Sequence, residues 1–211
     1  MSNNQSKRGS LFIIAAPSGG GKTSLVNALL KKDARLSLSI SHTTRPARPG
    51  ELDGQHYHFV SETEFERMVD DGDFLEHARV FDHQYGTSRR SVVLQLEQDR
   101  DVLLDIDWQG ARQIKAVFPD CGLIFIIPPS LVTLRKRLTG RGQDSTEVIE
   151  RRMRDARAEI SHWAEFDHLV VNDNFDAALK ELHAIIHDHR QQRPHKVNKN
   201  YQLLAQELGR S

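Results

Sequence analysis

Residues 11–15, LFIIA, form an apolar run without alternation, the pattern of a parallel strand buried on both faces. Residues 101–107, DVLLDID, and 122–127, GLIFII, read the same way, the second stopped by Pro128 and Pro129. Between them lie segments of helical period. Leu25, Val26, Leu29 and Leu30 follow the first strand, and residues 109–117, 130–138, 146 to about 165 and 175–189 each carry one apolar stripe. In the last of these Leu179, Leu182 and Ile186 face inward, and residues 168–172 before it read as a short strand. Strands alternating with helices define an α/β fold with a parallel sheet flanked by helices.

A second kind of pattern occupies residues 36–90. Residues 36–41 alternate apolar and small polar side chains, as in a half-exposed strand, and residues 55–60 place Tyr57 and Phe59 opposite His56 and His58. Ser61-Glu62-Thr63-Glu64 is a capping box that opens a short helix burying Phe65, Met68 and Val69, with Gly72 placed to end it. Residues 74–80 read as a strand with a carboxylate, Glu76, at its middle. Residues 85–88 are expected to turn, with Ser88 capping a helix that contains Val92, Val93 and Leu96. The short strands of 38–90 thus form a small lobe between two core elements.

The junction after residues 11–15 carries the chemistry. Ala16-Pro17-Ser18-Gly19-Gly20-Gly21 leads into Lys22-Thr23-Ser24, which opens the first helix. Glycines let backbone N–H groups close on phosphate oxygens, and the helix N-terminus adds partial positive charge. This is a P-loop NTPase core: Lys22 is placed for the β- and γ-phosphates and Thr23 for Mg²⁺. The strict pattern wants glycine where Ala16 stands, at the strand end, where a methyl group is tolerable. Asp105 and Asp107, at the carboxyl end of the next core strand, have the form of a Walker B site, and the sequence leaves open which lies nearer the metal.

Charge sharpens this locally. The chain balances 29 basic against 29 acidic residues, so no global field points to nucleic acid or an anionic membrane. Residues 51–82 hold ten acidic and two basic residues, whereas 131–160 hold eight basic and five acidic, which favours a specific anion site in the latter. Arg45 and Arg48 sit among prolines in an extended loop. Their forks suit phosphate, against the plainer reading of two solvated arginines. Arg137, Arg141 and Arg152 flank the Gly140-Arg141-Gly142 break, where some arginines serve only ion pairs such as Glu147 with Arg151. Cys121 is the only cysteine, which excludes an internal disulfide and fits a reducing cytoplasm. The polar N-terminus resembles neither a signal peptide nor a span of about 20 apolar residues. His183 and His187 share i,i+4 spacing on the last long helix without further ligands and read as helix surface, and Trp108 and Trp163 read as packing residues. The tail ending YQLLAQELGRS is an extra helix or a contact between copies in a homo-oligomer.

Taken together, the P-loop, S-x-T-T-R-x-x-R-x-G-E-x-x-G-x-x-Y from Ser41, F-L-E-H-A with Y-G-T at 85–87, L-D-I-D-W-Q-G and G-R-G resemble the guanylate kinase family from about residue 10 to 188. The resemblance implies one domain: a core (about 10–37, 91–129 and 166–190), a GMP-binding lobe (38–90), a lid over ATP (about 130–165) and a tail (191–211). It implies that Arg45, Arg48, Tyr57 and Tyr85 hold the GMP phosphate. Ser41, Glu76, Gly86, Thr87 and Asp107 line the guanine, Arg137, Arg141 and Arg152 contact ATP phosphates, and Asn172 lies near adenine. It further implies Mg²⁺ as cofactor and transfer of the ATP γ-phosphoryl group to GMP, with dGMP fitting as GMP does. A carboxylate can accept the adjacent N1–H and amine donors of guanine, which adenine lacks. Two other readings are a catalytically inactive guanylate-kinase-like interaction module and a P-loop kinase for another acceptor. The first typically has neighbouring domains and a degraded ATP site.

Overall fold

The computed structural model describes residues 8–80, 82–140 and 145–210. Nine strands and eight helices are resolved among them. The strands are β1 (Leu11–Ala15), β2 (Leu36–Leu38), β3 (His42–Thr43), β4 (His58–Phe59), β5 (Phe74–Val80), β6 (His83–Ser88), β7 (Asp101–Asp105), β8 (Gly122–Ile127) and β9 (His168–Val171). The helices are α1 (Lys22–Lys32), α2 (Glu62–Asp70), α3 (Arg89–Glu97), α4 (Trp108–Val117), α5 (Leu131–Thr139), α6 (Thr146–Ile160), α7 (Phe175–Arg190) and α8 (Lys199–Gly209). The order β2-β7-β1-β8-β9 makes a five-stranded sheet in which β2 pairs parallel to β7 and β8 parallel to β9. All of β1 and all of β8 are buried, as their unbroken apolar runs require.

The chain packs as two compact units. The first takes residues up to Phe12, Ala34–Leu104 and Gln109–Cys121, and it contains a second sheet of order β4-β3-β6-β5. There β6 runs antiparallel to both β3 and β5, and Glu76 lies directly across from Thr87. A register irregularity between Phe74 and Glu76 leaves Phe74, Leu75 and Glu76 all buried in succession. Strict alternation would have turned Leu75 to the opposite face from its neighbours; the bulge overrides it. Phe65 of α2 packs its ring on Phe74, with centroids 4.7 Å apart.

Residues 85–88, expected to turn, instead lie within β6: Gly, Thr and Ser are turn-prone, but pairing on both edges holds them extended. The expected strand 36–41 divides into β2 and β3, which join different sheets, and 55–60 shortens to β4. The α2 cap forms as expected, Ser61 Oγ accepting from the Glu64 N–H at 3.1 Å, and Gly72 ends the segment at φ 72°. The carboxylate of Glu64 pairs with Arg67.

The second unit comprises Ile13–Asp33, Asp105–Trp108 and the chain from Gly122 onward. Its helices α5 and α6 share a core of Leu134, Leu138, Ile149, Met153 and Ala156, with Leu131 against it. The helix expected to reach residue 165 ends at Ile160 and continues as a 3-10 turn, Ser161–Glu165. Trp108 stacks face to face on His162, rings 3.5 Å apart and tilted 7°. The tail is helical: α8 buries Ala205 and Leu208 and packs on α6, the 3-10 turn and β9. Along α6, Arg151 faces Asp155 at 3.9 Å, an ion pair of the expected i,i+4 spacing.

Candidate active site

Helices α2, α3, α5, α6, α7 and α8 each begin on a Ser or Asn side chain that accepts a backbone N–H of the first turn. Helix α1 does not. Its N-cap is Gly21, with no side-chain hydrogen bond and no acidic residue in the first turn. Four N–H groups at a helix start lack intrahelical partners, so an uncapped start beside a glycine loop presents donors and partial positive charge to an anion.

The loop is fixed from several sides within this unit. Gly20 N–H closes it by donating to Pro17 O at 2.8 Å. Gly21 sits at φ 89°, and a Cβ there would come within 2.3 Å of Asn172 Nδ2, so both conformation and space demand glycine. Asn172 is 5% exposed and its amide donates to Gly20 O at 2.8 Å, while its own carbonyl accepts Arg137 Nη2 at 2.8 Å. The other terminal nitrogen of Arg137, Nη1, is buried with no hydrogen-bond partner, an orphan donor of the kind a phosphate oxygen satisfies. Lys22 Nζ donates to Ile106 O at 3.2 Å and forms an ion pair with Asp105, the last residue of β7. Thr23 and Ser24 are exposed at the helix start, and Ala16 is half-buried.

Asp105 and Thr23 offer hard oxygen donors of the kind Mg²⁺ prefers. Among the described residues no cluster of three or more His, Cys, Asp or Glu side chains could hold a metal alone. Mg²⁺ keeps waters and binds through one or two protein oxygens plus substrate phosphates. Arg141 lies outside the described residues. Arg152 is half-buried on α6, and Asp107 lies in the same unit as Lys22.

In the first unit, Arg45 is 9% exposed and held as a fork. Its Nη2 donates to both oxygens of Glu51, at 2.8 and 2.9 Å, and its Nη1 to Pro46 O at 2.8 Å. The guanidinium lies 5.3 Å from the Tyr57 ring centre and 5.8 Å from that of Phe59, with Tyr85 in edge contact with Tyr57. Burial works against its charge, but the hydrogen bond and charge of Glu51 prevail and raise its pKa. Burial likewise pushes Glu51 up; the Arg48 N–H and the Arg45 guanidinium overcome this and hold its carboxyl below the usual range. Arg48 is exposed and contributes its backbone N–H to Glu51 at 2.8 Å. The two arginines are therefore unlike: one is locked, the other projects.

Glu76, 3% exposed, accepts the Thr87 hydroxyl at 2.5 Å. Flanking it, Gln113 of α4 brackets the next residue, accepting His77 N–H at 3.2 Å and donating to His77 O at 2.9 Å. Ser41 is also buried, Gly86 is buried on β6, and Tyr57 and Tyr85 are half-buried. His183 is half-buried and lies 3.7 Å from the buried Asp33, whereas His187 is exposed, as expected of helix surface, 3.8 Å from Asp188.

Sequence reasoning missed Glu51, Gln113 and Glu159. The half-buried Glu159 on α6 accepts Ser18 N–H at 3.0 Å, and burial raises its pKa to about 7. Glu51 stood inside the quoted motif without a role, and only proximity reveals the other two.

A glycine loop over an uncapped helix, with a lysine and a strand-end carboxylate, defines a P-loop nucleotide-binding core. Comparison with known proteins narrows this. The guanylate kinase family model matches residues 8–189. The chain is 55% identical over 200 residues to the guanylate kinase of Alkalilimnicola ehrlichii, covering 95% of this chain and 97% of that one. It is 58% identical over 200 residues to that of Nitrosococcus oceani, covering 95% and 98%. The crystal structure of guanylate kinase from Anaplasma phagocytophilum superposes with a TM-score of 0.73 at 31% identity, covering 87% of each chain. The chain belongs to the guanylate kinase family and is a nucleoside monophosphate kinase. The inactive-module reading finds no support.

Proposed function

We propose that this kinase moves the γ-phosphoryl group of ATP to GMP, and also to dGMP, through two sets of residues. On the donor side the loop 16–24 binds the ATP phosphates, Lys22 neutralises the β- and γ-phosphates, and Arg137, Arg141 and Arg152 close over the transferring group. Asn172 serves this side through the loop it holds, with adenine beyond it. On the acceptor side Arg45, Arg48, Tyr57 and Tyr85 take the GMP phosphate, and Ser41, Glu76, Gly86, Thr87 and Asp107 line the base. Residues 38–90 are the acceptor lobe and about 130–165 the lid.

The single observation that carries the reading is the buried Glu76 beside Thr87. A desolvated carboxylate is costly unless a ligand or neighbour donates to it, and guanine supplies two adjacent donors. AMP would set a ring lone pair against the carboxylate, and such sites reject the wrong partner by ~10⁴ or more. The acceptor phosphate, with a second pKa of about 6, is already largely dianionic at neutral pH, so no general base is needed. What the reaction requires is cation density. Mg²⁺ held by Thr23 and Asp105 would supply charge neutralisation at the β- and γ-oxygens. Lys22 and the arginines of this chain supply the rest, a contribution worth ~10³ or more in rate for a well-placed arginine. Lid closure excludes water and limits ATP hydrolysis. The buried thiol of Cys121 supports a cytoplasmic setting.

The test is a coupled assay of ADP formation with MgATP, offering GMP, dGMP, AMP, CMP and UMP separately. Turnover confined to GMP and dGMP is expected. Equal turnover with AMP would remove the role given to Glu76.

A further inference from the structure

The P-loop backbone receives its contacts from three elements of its own unit. Gly20 O is held by Asn172, after β9. Gly19, at φ 84°, lies so close to α5 that a Cβ would sit 3.0 Å from methyl carbons of Leu134 and Leu138. Ser18 N–H is held by Glu159 of α6, 141 residues away in sequence. The first two contacts are a neutral amide and apolar packing; the third is a carboxylate inside a site built for anions.

A loop of successive small residues has little stiffness of its own, since glycine loses more conformational freedom than any other residue. Its N–H groups converge only if the chain around them is tied. Ser18 is the turn at which the loop leaves Pro17, so the direction of its N–H sets that of the peptides that follow. We propose that Glu159 is a positioning residue for phosphoryl transfer: its carboxylate, carried on α6, fixes the Ser18 N–H and so holds the P-loop in its phosphate-receiving shape. This assignment rests on the reading of residues 16–24 as the ATP site.

The local charges define what the contact must tolerate. Lys22 on α1 faces Glu159 and favours its ionised form, whereas Asp107 ahead of α4 and Asp155 on α6 oppose it. Burial outweighs these and brings the group to about 7. A triphosphate adds more negative charge beside it, which favours the protonated carboxyl, and this still accepts the Ser18 N–H through its carbonyl oxygen. Acceptor geometry is therefore required throughout, and negative charge is a penalty that grows as pH rises through 7.

Three substitutions separate these properties. Glu159→Gln keeps the acceptor and removes the charge, Glu159→Asp keeps the charge and shortens the reach, and Glu159→Ala removes both. With MgATP and GMP varied in turn, Glu159→Asp and Glu159→Ala are expected to raise the KM for ATP about tenfold, the scale of one lost hydrogen bond. The KM for GMP should stay within about twofold, and Glu159→Gln within about threefold of the parent for ATP. The parent's KM for ATP should rise more steeply between pH 6 and 8 than that of Glu159→Gln. The three variants are compared only where far-ultraviolet circular dichroism matches the parent. If Glu159→Ala does not fold, Glu159→Asp carries the comparison. A folded Asp or Ala variant with the parent's KM for ATP overturns the proposal, as does a Gln variant no better than Asp. Failure of the parent itself to turn over would instead refute the ATP-site reading.

Discussion

The loop of residues 16–24 and the residues around Arg45 and Glu76, which we assign to the donor and the acceptor nucleotide, are made of opposite materials. The loop is backbone: N–H groups, two glycines at positive φ, and a helix start with no cap. The Arg45 region is side chain: a fork held at both oxygens of Glu51 and faced by aromatic rings. Truncating a side chain leaves the backbone donors in place, so short of a proline the loop is vulnerable through the residues that shape it. A side-chain site is vulnerable at every member. The difference says where a single substitution should act on rate, where on recognition, and where on neither.

The largest effect is expected at Lys22, the cationic side chain carried by the loop-helix junction itself. Lys22→Ala should lower kcat by ~10³ or more while leaving GMP affinity, read by equilibrium titration, within about twofold. A comparable loss of GMP affinity would erase the division between the two regions. Glu76→Gln comes next: turnover with GMP should fall about 10–100-fold and the preference for GMP over AMP should shrink, because the amide turns a donor towards donors. An unchanged ratio of kcat/KM for the two nucleotides would break the assignment. Glu51→Gln should act more mildly, raising the KM for GMP about three- to tenfold with little change in kcat, since Arg45 stays in place but loses half of its fork. If KM for GMP does not move, the preset geometry of Arg45 is dispensable.

The smallest effect concerns stability. Glu159 is held at about 7 in the folded protein against an ordinary carboxylate value of 4.5 when unfolded. The folded state therefore binds more protons between those values, and stability falls as pH rises through that window and levels off above 7. Thermal melts should show a higher Tm at pH 5 than at pH 7.5, with a smaller difference in Glu159→Gln. Identical pH dependence in the two proteins would show that the carboxylate is not held up by burial.

How much of this was written in the chain differs by region in the same way. The loop was legible because its strand, glycines and helix are contiguous, and β1, α1, β8 and α5 formed where their patterns placed them. Glu76 was legible as a carboxylate out of place in an apolar strand. Its partner Thr87 was named only through family resemblance, and residues 85–88 were expected to turn because local composition outvoted pairing with β3 and β5, which no local window contains. Glu159 was invisible for a stronger reason. On α6 it looks like one more acid among arginines, and its partner is a backbone N–H, which leaves no mark on the sequence. Gln113, which brackets His77 through main-chain atoms alone, was hidden in the same way.

Gly19 resting on Leu134 and Leu138 has a bearing on how such a protein can drift. Those leucines belong to the shared core of α5 and α6, a region where exchange among aliphatic residues is ordinarily tolerated. Here a methyl group gained or lost in that core presses on, or withdraws from, the loop we assign to ATP. Variation among descendants at these two buried positions would then register in the hold on that nucleotide as well as in thermal tolerance, and a lineage could retune one substrate without changing any residue assigned to meet it.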